Sequence, residues 1–214
     1  MSAPEHRLNP TDLKAFCTTL LCAGGARPDD AACVAAHLVD ANLKGHDSHG
    51  AGLVPAYARH MKRGLVNLEA SEQVLADTSV ILRINADGGW GAPAGRRLVE
   101  RACVKASEHG LAAATLSHVH HLGRIGAYAE QAAAAGLVSL HFVNVTDHAP
   151  LVAPYRGSDA RFGTNPVCIG YPATPSRRWS ATAASRRNNA VRRTTARPAL
   201  TRDDRRCCHS PYSC

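Results

Sequence analysis

Apolar residues recur at helical spacing up to about residue 63, and as short runs and alternations after residue 80. The chain therefore reads as helices first and a layered α/β region second. Thr11 is placed to cap a helix from Asp12 to about Leu21, with Leu13, Phe16, Cys17 and Leu20 along one face. Gly24-Gly25 ends that helix. Pro28 opens the next, with Asp29 and Asp30 near the positive end of its dipole. In this second helix His37, Asp40 and Lys44 share a narrow polar face. Val34, Leu38, Val39 and Leu43 spread around the rest, which predicts packing on more than one side. A turn between Gly45 and Gly50 leads to a third helix, from about Leu53 to Arg63, stopped by Gly64.

Beyond residue 80 the period changes. Val80 to Ile84 predicts a strand, Asp87 to Gly91 a turn, and Pro93 to His109 a helix closed by Gly110. Ala112 to Leu116 predicts a short buried strand, Arg124 to Ala135 a helix closed by Gly136, and Leu137 to Val145 an apolar strand. A long loop from Asp147 to Pro166 precedes one more strand, Val167 to Tyr171. Strand-helix alternation of this kind predicts an α/β layered domain, in which crossovers between parallel strands are right-handed. The expected division is a helical segment over 1–75, a partial α/β domain over 76–173 and an arginine-rich tail over 174–214.

Charge sharpens the last boundary. The net charge of +8 is carried by residues 176–214, with ten arginines against two aspartates; residues 1–175 hold fifteen basic and fifteen acidic side chains. The basic balance thus says nothing about the body, and it argues against nucleic acid as the body's partner. The tail's only sizeable aliphatics are Val191 and Leu200, too few to offset ordering entropy, so disorder is expected there. A reading-frame shift near Thr174 would also account for the abrupt loss of strand pattern. No apolar run is long enough to cross a bilayer, and the N-terminal residues do not resemble a signal peptide. The expected location is the cytoplasm, where thiols stay reduced. Cys17, Cys22, Cys33, Cys103 and Cys168 read as small packing residues.

Two histidine segments carry the candidate chemistry. Gly45-His46-Asp47-Ser48-His49-Gly50 follows a helix, and its glycines let the backbone turn sharply. Imidazole exchanges protons near neutral pH, and Ser48 or Asp47 could orient it; the plain alternative is a polar helix cap. Ser117-His118-Val119-His120-His121-Leu122-Gly123-Arg124 lies between a strand and a helix, where α/β proteins place ligands. A metal site there competes weakly, because no Asp, Glu or Cys stands at metal spacing. His37 and His60 read as packed or surface residues, and His141, in an apolar strand, as a satisfied core histidine. Asp87 to Gly91 lacks the spacing of a dinucleotide fingerprint.

Taken together, Gly45 to Gly50, His120-His121-Leu122-Gly123-Arg124-Ile125-Gly126 and Arg161-Phe162-Gly163-Thr164-Asn165-Pro166 resemble the malate/L-lactate dehydrogenase family of the non-Rossmann type. The likeness runs from about residue 7 to 173. It implies N-terminal helices plus a mixed-sheet layered domain, here truncated at the C-terminus, and NAD- or NADP-dependent interconversion of 2-hydroxy and 2-oxo acids by a homodimer. It implies that His49 and His121, with Ser48 and Asp47 beside them, handle the proton. It places Gly123, Arg124, Ile125, Thr164 and Asn165, with His49, along the cofactor. Leu53 stands where many members carry an arginine, which leaves Arg124 or a backbone amide for the substrate carboxylate. Alternatives are an inactive remnant that dimerises through helices within residues 12–43, and a nucleic-acid-binding protein acting through the basic tail.

Overall fold

The computed structural model describes residues 7–145 and 153–172, together with the backbone of 179–184 and 191–195. It falls into two compact units, Met1–Leu98 with Ala112–Arg124, and Val99–Leu111 with Ile125–Cys214. No boundary falls at residue 75, the expected one, because a strand, β1 (Gln73–Asp77), crosses that point.

The first unit begins with α1 (Pro10–Ala23), α2 (Pro28–Leu43) and α3 (Val54–Lys62), the last approached through two short 3-10 turns at Asp47–His49 and Ala51–Leu53. The cap of α1 is Asn9, not Thr11. The Asn9 side chain accepts the Thr11 N–H at 2.8 Å, and Pro10 fits the first helical position because it has no N–H to satisfy there. The buried stripe is also turned by one position from the expected face. Cys17 and Leu21 point inward, while Phe16 and Leu20 stay exposed. Leu21, Val34, Leu38, Val54, Tyr57 and Trp90 form the core that joins the three helices. Each large apolar side chain removed from water there contributes about 1.5–3 kcal/mol.

On this helical layer the unit carries a three-stranded mixed sheet of β1, β2 (Ile81–Asn85) and β3 (Ala113–Ser117), in that order. β1 and β2 are antiparallel; β2 and β3 are parallel and joined through α4 (Gly91–His109). Leu82 and Ile84 are buried and Arg83 is exposed, as the alternation predicts. β1 was not foreseen. Four of its five side chains are exposed and a register shift interrupts it, so pairing with β2 defines it and no apolar pattern does.

The second unit contains α5 (Gly126–Ala134) and a four-stranded antiparallel sheet in the order β4 (Ser139–Phe142), β5 (Pro166–Tyr171), β6 (Trp179–Ala184), β7 (Val191–Thr195). α5 seats on β5 through a missing side chain: a Cβ on Gly170 would come within 2.7 Å of the Ala129 Cβ. β4 is shorter than the expected 137–145. The expected disorder after residue 175 is corrected for β6 and β7. Trp179, Thr182, Val191, Thr194 and Thr195 suit strands, and an antiparallel ladder satisfies their backbone without a large core. The remaining tail positions, and the possible frame change near Thr174, lie outside the described residues.

Candidate active site

The Ser-His-Gly turn is built from contacts close in sequence. Gly45 leaves α2 with φ +69°, the left-handed region that favours glycine. The Asn42 side chain then staples the turn. Its Nδ2 donates to Asp47 Oδ1 at 2.5 Å, and its Oδ1 accepts the Ala51 N–H at 2.7 Å. A Cβ on Gly50 would overlap the Asn42 amide, which is the physical reason for glycine after the histidine. Ser48 Oγ lies 3.0 Å from His49 Nδ1 and fixes the ring. Asp47 is exposed and its carboxylate is taken by Asn42, so it shapes the turn and does not orient the imidazole. Burial, reinforced by His121, His46 and His37, pushes His49 down to about 4, so its ring is neutral at pH 7.

The second segment, after β3, has no regular hydrogen bonds of its own, and distant partners hold it. The His120 N–H donates to the Gly89 carbonyl at 2.9 Å, and the Gly88 N–H to the His118 carbonyl at 2.7 Å. A Cβ on Gly91 would overlap the backbone carbonyls of His120 and His121. Gly123 has φ +70°, and a Cβ there would sit 2.5 Å from His37 Nε2. His37 accepts the Arg124 N–H through Nε2 at 2.9 Å, which requires a neutral ring. Burial, with Arg124 nearby, pushes His37 down to about 4. Arg124 Nη2 pairs with Asp40 at 2.8 Å, and Lys44 reaches the same carboxylate at 2.9 Å. Burial pushes the Asp40 carboxyl up, but these hydrogen bonds prevail and hold it below the usual range. The polar face of α2 is therefore the mount for the second segment. The guanidinium of Arg124 is paired with Asp40.

The two segments meet. The rings of His49 and His121 stack with centroids 5.3 Å apart and planes 29° apart. Tyr57 Oη lies 2.7 Å from His121 Nδ1, and His60 Nδ1 lies 2.8 Å from His120 Nε2. Trp90 packs edge-on against His120 and tilts against Tyr57. Burial pushes the Tyr57 phenol up, so it keeps its proton at neutral pH. Tyr57 escapes the sequence reading, and His37 and His60 read there as packed or surface residues. Their partners lie 64, 87 and 60 residues away, and only the Tyr57–His60 spacing of one helical turn was available as a signal. The side of His121 that faces His37, Leu38, Tyr57, Trp90 and Gly123 is closely packed. Among the described residues no cluster of three or more His, Cys, Asp or Glu side chains could hold a metal ion.

The other expected cofactor residues belong to the second unit. Ile125 caps α5 and is buried. Asn165 accepts the Val145 N–H through Oδ1 at 3.3 Å, and Thr164 is half-buried beside it. His141 pairs with Ser139 at 3.0 Å.

Comparison with known proteins places this geometry. The family model described as malate/L-lactate dehydrogenase matches residues 8–186, which carries the likeness past residue 173 and through β6. The chain is 40% identical over 167 residues to hydroxycarboxylate dehydrogenase B of Escherichia coli (strain K12), covering 78% of this chain and 46% of that protein. It is 36% identical over 166 residues to L-lactate dehydrogenase of Cupriavidus necator, covering 78% and 48%. Malate dehydrogenase from Pyrococcus horikoshii OT3 superposes with a TM-score of 0.76 at 30% identity, over 84% of this chain and 50% of that one. The chain thus spans about half the length of the curated relatives it matches. With a mixed sheet of the expected kind and a family match over most of its length, the chain belongs to the malate/L-lactate dehydrogenase family.

Proposed function

We propose that this chain carries the proton-handling part of an oxidoreductase that interconverts 2-oxo and 2-hydroxy acids with NAD or NADP. The stacking of His49 on His121 carries the reading, since nothing local to either segment requires it. The residues present fit the redox end of such a cofactor: a neutral, part-buried imidazole stacks on a second imidazole that is exposed. They do not offer a cradle for its phosphates in the first unit, because Gly50, Gly91 and Gly123 are filled by protein atoms and Arg124 is held by Asp40. The cofactor, when bound, would supply or accept the hydride.

The proton falls to His121. His49 is neutral at pH 7 and is a poor donor, so the two imidazoles divide the work. Tyr57 suits both states of His121. Its hydroxyl oxygen accepts from Nδ1–H, which stays in place in the imidazolium and in the neutral ring alike, so the proton is gained and lost on the other side. The opposite nitrogen, Nε2, then exchanges the proton with the substrate oxygen, and an imidazolium there would also stabilise charge developing on that oxygen. Ser48 keeps the His49 ring in register beside it. A homodimer in the cytoplasm is the assembly and compartment we propose for the whole protein, as the family resemblance implies. No described helix is long and apolar enough to cross a membrane.

A second reading is an inactive remnant that retains the family fold. NADH and NADPH oxidation with a panel of 2-oxo acids separates the two. The enzyme reading predicts turnover that depends on the 2-oxo acid and falls steeply in His121→Gln. Oxidation indistinguishable from a blank with every acid would leave the remnant.

A further inference from the structure

We propose that His60 is a positioning residue for His121, acting through His120. The inference rests on the proton-handling role given to His121. α3 presents two side chains one turn apart, Tyr57 and His60, to two consecutive histidines. Tyr57 takes His121 and His60 takes His120, at 2.7 and 2.8 Å. The segment between β3 and α5 has irregular backbone, with φ +47° at His118 and +70° at Gly123. Such backbone holds one conformation only where its surroundings over-determine it. On the backbone side the dipeptide is pinned by Gly89 and Gly91. On the side-chain side it is pinned by α3, so losing either contact frees rotation about the 120–121 backbone and lets the His121 ring swing.

The chemistry of the pair makes it a directional anchor. Two imidazoles joined nitrogen to nitrogen share one proton, one ring donating and the other accepting. His120 is therefore held in one ring orientation, wedged edge-on between Tyr57 and Trp90 at centroid distances of 5.1 and 5.2 Å. Since Tyr57 touches both His120 and His121, a His120 ring that turns also disturbs the phenol that sets the tautomer of His121.

The experiment is nitrogen-labelled imidazole NMR on the full chain, without cofactor or substrate. Wild type should show His121 in a single tautomer. In His60→Phe, which fills the space without a hydrogen bond, the His121 ring-nitrogen signals should move toward a tautomer average. In His60→Asn, whose amide occupies the place of the imidazole Nδ1, the single tautomer should return. The reciprocal pair His120→Phe and His120→Gln repeats the test from the other end if His60→Phe does not fold. Where turnover is measurable, His60→Phe should lower kcat on the order of ten-fold with KM little changed, as expected for misplacement of a reacting group. Unchanged His121 signals in His60→Phe, or a folded His60→Asn that fails to restore them, overturns the proposal. Because the NMR readout needs no reaction, absence of turnover with the expected signals would remove the enzyme reading alone.

Discussion

The two histidine segments solve the same problem by opposite means. The Ser-His-Gly turn is held by neighbours within nine residues, Asn42 and Ser48 above all. The 118–124 segment is held by His37, Asp40, Tyr57, His60 and Gly91, all far away in the chain. The first is compact and carries a neutral, part-buried ring; the second leaves its ring exposed at the end of a braced loop. A ring meant to stay neutral is best buried, whereas a ring meant to exchange protons needs access and an outside frame to aim it.

The largest expected break in this contrast is His121→Gln, which should lower kcat about 10²–10⁴-fold while His49→Gln lowers it less, measured on any 2-oxo acid that supports turnover. Next is Gly91→Ala. Its new methyl overlaps two backbone carbonyls that cannot yield cheaply, so urea denaturation should show a loss of about 3 kcal/mol. Acid sharpens the contrast from another direction. His37 and His49 sit at about 4 when folded against about 6.5 when unfolded, so the folded protein binds fewer protons. Stability should be full above pH 6.5 and fall as pH drops toward 4, by roughly 3 kcal/mol for His37, and His37→Gln should flatten that slope. Asp40→Asn strands the buried Arg124 charge. With Asp40 itself 38% exposed, the cost should be about 2 kcal/mol. The smallest effect belongs to Asp47→Asn, whose exposed contact with Asn42 survives in part; its unfolding free energy in urea should change by less than about 0.5 kcal/mol.

The same contrast explains what could be read from the chain. Helices α1 to α5 and strands β2 to β5 follow from apolar spacing and from the glycines that end them. β1 does not, because an exposed edge strand needs no apolar face. β6 and β7 do not, because their strand residues are interspersed with arginine pairs that read as solvated chain. Within the candidate site, the contact of Ser48 with His49 was legible because it joins neighbours in the chain. For Asp47 the chain left two readings, an orienter of the imidazole and a polar cap, because a carboxylate beside an imidazole is equally a partner for Asn42. Tyr57, His37 and His60 were hidden, since their roles exist only once β3 returns the chain to the helical layer. The matching blocks supplied by family resemblance named His121, but not the residues that aim it.

The convergence of residues 49 and 121 is tested most directly by a proton–proton Overhauser experiment on histidine-labelled protein at neutral pH. Rings stacked at 5.3 Å between centroids should give cross-peaks between their carbon-bound protons, and Tyr57 ring protons should connect to His121 as well. A folded protein in which His49 correlates with His46 while neither His49 nor Tyr57 reaches His121 would contradict the account.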